Sequence, residues 1–304
     1  MIRNVNFLVT DRCNSRCMNC NIWKKKVSED LSVSEIIQLF SLKEFEKLDE
    51  LGISGGEPYI RDDILEILEA IVMTNQSFNT IYLTTNASFG DRVLESLSLL
   101  SKYIKNVNLG VSIDGTEETH SRIRGMDNYI KTVDLLSQVR STFNKVKTSI
   151  SLTINKYNCN LEDLNHIKQL SNELQCDYSF RLATSNEGYY ENDIKNLEIT
   201  KAMKQTLIEF IIANKLDDKF MAEQLYYLLT NKIPIMYDYG RDKLICKAGS
   251  RFVFIHSNGL IYPCINSMQS IGDYKTGIRN FSDICTKHCP CMTECTIWPM
   301  LMLS

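Results

Sequence analysis

Several absences narrow what this chain can be. Its 304 residues carry 34 Lys and Arg against 37 Asp and Glu, a formal net charge of −3. That balance favours neither nucleic acid nor an anionic membrane as a partner. No apolar run is long enough to cross a bilayer. The N-terminal run ends after a few residues at Asp11 and Arg12, too short and too charged for a signal peptide or a membrane helix. The expectation is a cytoplasmic chain with no nucleic-acid or membrane partner. There is no internal repeat, no low-complexity tract and no Gly-rich dinucleotide fingerprint. The most informative lack is a fourth cysteine near the first three: after Cys13, Cys17 and Cys20 the next is Cys159.

What is abundant is cysteine itself, with 11 in all. In a cytoplasmic chain this points to metal or redox chemistry rather than disulfides. The spread is uneven: three lie in the first twenty residues, six fall between Cys246 and Cys295, and only Cys159 and Cys176 lie between. Cys13, Cys17 and Cys20 have C-x3-C-x2-C spacing just after the apolar run Val5 to Val9. Three thiolates in eight residues can grip one face of an iron–sulfur cube, which normally takes four cysteines. One iron is then left open, the arrangement of a catalytic rather than a structural centre. The basic run Lys24-Lys25-Lys26 reads as a solvated loop; its place beside the thiols also suits the steering of an anionic ligand.

The remainder alternates strand and helix patterns. Strands are expected at Asn4–Thr10, Leu51–Ser54, Thr80–Thr85, Val107–Ile113, Lys147–Ile154 and Asp177–Leu182. Helices are expected at Ser32–Leu48, Asp62–Met73, Asp91–Tyr103, Tyr129–Phe143 and Leu161–Leu174. Such alternation implies a parallel sheet with helices outside it. The fold class is α/β, an open partial (β/α)6 TIM-like barrel, with chemistry collected at the C-terminal ends of the strands. The thiol loop, Gly55-Gly56-Glu57-Pro58, Thr84-Thr85-Asn86 and Ser112-Ile113-Asp114-Gly115 all follow strands directly. Beyond Leu182 the pattern changes. Leu197–Asn214 and Lys219–Asn231 look helical, and Phe252–His256 and Leu260–Tyr262 flank Ser257-Asn258-Gly259, a strong hairpin signal. A short helix is expected at Ile278–Ile284. The domain reading is 1–184 barrel, 185–240 helical bridge and 241–304 cysteine-rich β-hairpin/helix module.

An open iron at the rim wants a small chelating ligand, and one with an amine and a carboxylate suits the side chains there. Glu57 can accept an ammonium. Gly56, with no Cβ, lets backbone approach a ligand. Ser112 and Arg124 can hold a carboxylate, the arginine bidentately, and Asn86 can serve either end.

Together, C-x3-C-x2-C, Gly-Gly-Glu-Pro, Ser-Ile-Asp-Gly and the later His120-x3-Arg124-Gly125 resemble the radical S-adenosylmethionine superfamily, over about Asn4 to Leu182. The resemblance implies a 4Fe–4S cluster on Cys13, Cys17 and Cys20, with S-adenosylmethionine on the open iron. It implies that Gly56 and Glu57 meet the methionine amine, and that Ser112 and Arg124 meet the carboxylate or ribose. Asn19, at the position of an adenine contact, replaces an aromatic residue frequent there. The implied partners are a substrate and an external electron donor, a flavodoxin or ferredoxin. The later cysteines resemble the auxiliary-cluster module called twitch or SPASM. That pattern uses seven or more cysteines; the six here imply one auxiliary 4Fe–4S cluster, on Cys246, Cys264 and two of Cys289, Cys291 and Cys295, with Cys291 and Cys295 preferred. A zinc site, which also takes four thiolates, remains the alternative.

A thiol left over, Cys289 or Cys285, is the candidate hydrogen-atom donor; no catalytic residue is otherwise assigned. Cys159 and Cys176 read as small buried residues, Tyr189 and Tyr190 as packing at the domain junction, and His120 and His166 as helix-end or surface residues. The expected function is formation of a 5′-deoxyadenosyl radical that takes hydrogen from a sugar, aminocyclitol or short peptide. The outcome would be oxidation, dehydrogenation or epimerisation in natural-product biosynthesis. The absence of a preceding peptide-recognition domain tilts this toward a small molecule or short peptide. The alternatives are a maturase forming a crosslink or thioether in a ribosomally made peptide, and a non-catalytic iron–sulfur or zinc sensor.

Overall fold

A computed structural model describes residues 1–26, 29–183, 185, 189–193, 195–214, 248–267 and 269–279. Ten strands form one sheet in the order β10-β9-β8-β7-β1-β2-β3-β4-β5-β6. The parallel part runs through β1 (Asn4–Leu8), β2 (Glu50–Ser54), β3 (Thr80–Thr85), β4 (Asn106–Ser112), β5 (Lys147–Ile154) and β6 (Asp177–Leu182). Helices α1 (Val33–Phe40), α2 (Ile64–Thr74), α3 (Gly90–Leu100), α5 (Tyr129–Thr142) and α6 (Leu161–Leu174) cross over between these strands. This is the expected α/β architecture of an open partial (β/α)6 barrel.

Side chains alternate along the strands between a buried helix-facing side and a partly open inner side, as in the burial of β5. The outer set, including Ile53, Leu83, Leu109, Val111, Ile150 and Leu152, packs with the helices into one core. The inner set is small or polar: Ser54, Thr84, Gly110, Ser112, Ser151 and Thr153 all line one cavity. Closed TIM barrels fill that volume with branched apolar side chains; here short side chains leave it open.

Two differences from the sequence reading matter. An eight-residue helix, α4 (Glu117–Arg124), follows β4. It lacks an apolar stripe, so periodicity misses it, yet both ends are capped. The Thr116 side chain accepts from the Thr119 amide, and Gly125 takes the left-handed φ of 62°. The second difference concerns the hairpin, β7 (Phe252–Ile255) and β8 (Leu260–Tyr262). It forms as expected, but β7 pairs in parallel with β1, Asn4 opposite Phe252 through Phe7 opposite Ile255, so it extends the barrel's own sheet. Beyond it come β9 (Gly272–Asp273) and β10 (Gly277–Ile278). Ile278 is therefore a strand residue, because Gly277, at φ 70°, turns the chain back onto Gly272; residues 280–284 of the expected Ile278–Ile284 helix lie outside the described residues.

The first bridge helix is α7 (Lys201–Ala213); the second, Lys219–Asn231, lies outside the described residues. Among the described residues no helix is long and apolar enough to cross a membrane.

Candidate functional site

The thiol loop leaves β1 and is held from several directions, one of them the segment after β6, where Asn192 Nδ2 donates to Asn19 O at 2.6 Å. The carbonyls at the end of α4 accept two of its amides, Arg16 N–H to Arg124 O at 2.9 Å and Met18 N–H to Ile123 O at 2.9 Å. The segment after β2 donates back to the chain entering the loop, Gly56 N–H to Thr10 O at 2.8 Å and Glu57 N–H to Arg12 O at 2.9 Å. After β3, Asn86 Nδ2 donates to Asn14 Oδ1 at 2.9 Å and Ser15 Oγ at 2.8 Å. After β5, Asn155 Nδ2 donates to Asn19 Oδ1 at 3.1 Å. Every strand-end segment singled out in the sequence thus touches the loop or lines the cavity beside it.

Three of the expected site residues have further partners. At Gly56, which lines the cavity, a Cβ would lie 2.2 Å from Arg12 O, and at Gly55 2.6 Å from Thr10 O. The glycine pair exists so that β2's end can lie against the loop. Glu57, 1% exposed, has protein donors on both carboxylate oxygens: Thr85 Oγ1 at 2.8 Å and Tyr59 N at 3.3 Å on Oε1, Asn86 N at 2.7 Å on Oε2. Burial pushes its pKa up to about 7 against these donors. A carboxylate has about four acceptor positions, so one remains for an ammonium. Arg124 is paired, its Nε donating to Asp114 Oδ2 at 2.5 Å and its Nη1 to Cys17 Sγ at 3.8 Å.

A buried polar relay backs the site. Asp114 N–H donates to His120 Nδ1 at 3.3 Å, and His120 Nε2 meets Asn128 Oδ1 at 3.0 Å. Because Nδ1 accepts, the proton sits on Nε2. Asn128 Nδ2 then donates to Asn86 O. Burial lowers the His120 pKa, which keeps the ring neutral and this tautomer in place. His120 is thus an internal strut, and His166 bonds to Tyr129 OH at 2.6 Å.

Cys13, Cys17 and Cys20 all line the cavity, whose volume is about 230 Å³. Burial pushes Cys13 up to about 11 and Cys20 up to about 12, and raises Cys17 as well, while the Arg124 charge lowers all three. Metal binding would have to displace those protons. Cys13 also feels the charge of Cys17, and Cys20 that of Cys17 and Cys13. Three thiolates at one cavity are a donor set that suits an iron–sulfur cube, each thiolate on its own iron.

Asn19 and Ser112 line the same cavity. Trp23, Arg181, Tyr190, Asn192 and Ile265 line it too; of these the sequence reading named only Tyr190, as packing at the domain junction. For Arg181 the signal was available: it is an inward residue next to the last of a strand. Tyr189 is buried, with its ring edge-on to Phe254 at 5.4 Å, while Tyr190 reaches the cavity. Lys25 pairs with Glu191 at 3.1 Å. Cys159 is buried and Cys176 partly buried. Cys264 is buried in a cluster with Phe252, Phe254 and Ile265 against which Cys20 packs. Cys246, Cys285, Cys289, Cys291 and Cys295 lie outside the described residues.

Comparison with known proteins corrects the expected substrate. A GTP 3′,8-cyclase of Alkaliphilus oremlandii is 25% identical over 91% of this chain and 86% of its own length. A probable GTP 3′,8-cyclase of Methanococcus aeolicus is 24% identical over 93% and 92%. These names overturn the expectation of oxidation, dehydrogenation or epimerisation of a sugar, aminocyclitol or peptide, and of peptide crosslinking. They give no support to a natural-product pathway or to a twitch or SPASM module.

Among solved structures, Streptococcus suis SuiB bound to S-adenosylmethionine superposes with TM-score 0.65 at 17% identity over 91% of this chain. This chain spans 64% of SuiB's length. AnSMEcpe with bound AdoMet superposes at 0.63 and 16%, over 90% of this chain and 78% of that one. At such identities these likenesses speak for the fold. The Radical SAM superfamily model matches residues 7–169, more than half of the chain. It spans the thiol loop and the α4, β2, β3 and β5 segments described above, and the chain accordingly belongs to the Radical SAM superfamily, enzymes built around a 4Fe–4S cluster and S-adenosylmethionine.

Proposed function

We propose that this chain closes a ring on a purine nucleotide, with Cys13, Cys17 and Cys20 holding the cluster and the wall of Trp23, Tyr190, Arg181 and Asn192 receiving the nucleotide. The observation that carries the substrate class is the near full-length similarity to GTP 3′,8-cyclases. The wall chemistry agrees: aromatic faces suit a base, and a guanidinium suits phosphate oxygens. Ser112, Asn19 and the remaining Arg124 donors face the same cavity and serve the polar groups of S-adenosylmethionine. Bound there, the cluster and S-adenosylmethionine supply a 5′-deoxyadenosyl radical that takes a hydrogen atom from the substrate. Cys264, with Cys246 and two of the terminal thiols, Cys291 and Cys295 preferred, is the proposed ligand set of a second cluster. A flavodoxin or ferredoxin is the proposed electron donor.

The test is anaerobic incubation of the iron-reconstituted protein with dithionite, S-adenosylmethionine and 3′-deuterated GTP. The expected result is 5′-deoxyadenosine carrying the deuterium, together with a cyclised nucleotide. Unlabelled 5′-deoxyadenosine and unchanged GTP would overturn the substrate, leaving the family intact. No 5′-deoxyadenosine above a Cys17→Ala background would overturn the assignment of the three thiols. About eight irons per chain is expected for two cubes; about four refutes the second cluster.

A further inference from the structure

We infer that Asp114 is a positioning residue that aims the Arg124 guanidinium at the sulfur of Cys17, so that the cluster is tuned by a fixed N–H···S hydrogen bond. The inference rests on the reading that Cys17 is a cluster ligand. Asp114 is 1% exposed, and both of its carboxylate oxygens are used. Oδ1 accepts Thr153 N–H at 2.9 Å, tying it to β5, and Oδ2 accepts Arg124 Nε at 2.5 Å. Its own backbone is pinned as well. Its amide donates to His120 Nδ1, and its carbonyl accepts Asn158 Nδ2 at 3.0 Å. The carboxylate therefore has one orientation, set by two strands and α4.

The guanidinium inherits that orientation. Its fork is planar and rigid; with Nε fixed on Asp114, Nη1 points at Cys17 Sγ, 3.8 Å away. Two of its five donors are then used and three remain for a ligand. The helix carrying Arg124 is fixed to the same loop through the Ile123 and Arg124 carbonyls, so donor and sulfur share one frame. Hydrogen bonds to ligand sulfurs and nearby positive charge stabilise the reduced, more negative cluster and raise its potential. The arrangement makes the cluster easier to reduce before any substrate is present.

The experiment uses the reconstituted protein without substrate. EPR-monitored redox titration gives the potential. Hyperfine spectroscopy of the reduced cluster in D2O against H2O reads exchangeable protons near the sulfurs. Arg124→Gln is expected to weaken reduction at least tenfold, about 59 mV for one electron, and to abolish one exchangeable-proton coupling. Arg124→Lys keeps the charge without the fork and is expected to recover part of the potential but not the coupling. Asp114→Asn separates aim from charge. If Asp114 positions the arginine, the coupling is lost and the potential falls, although a negative charge has been removed. If it contributes only its charge, the coupling persists and the potential rises, which overturns the proposal. Should Asp114→Asn fail to fold, unchanged coupling and potential in Arg124→Gln overturn it. Failure of the underlying thiol assignment looks different: the wild-type protein then shows no 4Fe–4S signal that depends on Cys17.

Discussion

Replacing Gly56 by alanine tests how the thiol loop is held. The added Cβ would lie 2.2 Å from Arg12 O, 2.6 Å from Arg12 C and 2.9 Å from Asp11 O. All three atoms are backbone, so no side chain can turn aside, and the loop entry must retreat by about 1 Å to reach ordinary contact distance. Overpacking of this kind costs about 1–3 kcal/mol. The retreat also strains the hydrogen bonds from Gly56 N to Thr10 O and from Glu57 N to Arg12 O, each worth about 0.5–1.5 kcal/mol. Together the loss is about 2–6 kcal/mol, a fall in Tm of roughly 5–15 °C for a protein of this size. The assay is thermal unfolding of the metal-free protein, followed by iron per chain after reconstitution. Gly90→Ala is the control: its nearest neighbour is Leu135 Cδ1 at 3.8 Å, and at a helix start the change is neutral or mildly stabilising. A Gly56→Ala protein that melts within 2 °C of wild type and loads full iron refutes the reasoning.

Three further outcomes are expected. Ser32→Ala removes the capping box of α1, in which Ser32 Oγ accepts from Glu35 N and Glu35 Oε2 accepts from Ser32 N at 2.9 Å; Tm falls by about 2–4 °C, for about 1 kcal/mol, and an unchanged melt contradicts it. Asn86→Ala removes both side-chain donors to Asn14 and Ser15, so iron per chain after reconstitution should drop severalfold while the fold, followed by circular dichroism, persists; full loading contradicts it. Burial lowers the His256 pKa to about 4, so the ring is neutral in the fold while the unfolded chain takes a proton near pH 6.5. Its contribution is complete above about pH 6.5 and is lost as pH falls toward 4, at up to about 1.4 kcal/mol per pH unit. His256→Phe should flatten that limb in denaturant titrations at pH 7 and 5, and equal slopes would count against it.

The barrel was legible because its helices and strands obey their periods. β3, β5, α6 and β6 have the bounds that alternation and 3.6-residue spacing give. α4 was not legible: a helix of Glu117, Glu118, Thr119, His120 and two arginines shows no apolar stripe, and only Thr116 and Gly125 mark its ends. That omission hid how the site is fixed, because α4 supplies the carbonyls that hold the loop and the arginine beside Cys17. Residue types at the rim were readable, but their partners were not. Arg124 could be placed near a ligand from its motif, whereas its pairing with Asp114 depends on β5 fixing that carboxylate from 39 residues away. The open interior was recoverable from the alternation of small residues in Gly110, Ser112, Ser151 and Thr153. Such residues carry no weight in a search for hydrophobic period.

The pairing of β7 with β1 bears on how the chain acquires its shape during synthesis. β1 is a central strand, flanked by β2 and by residues 252–255, so one of its edges cannot be satisfied until residues 252–255 have been made. Until then the strand leading into the thiol loop offers an unpaired edge, the kind of surface that recruits other chains. Closing a loop of such sequence separation is slow. The topology therefore sets an order: the second edge of the first strand closes only after the distant residues 252–255 are in place.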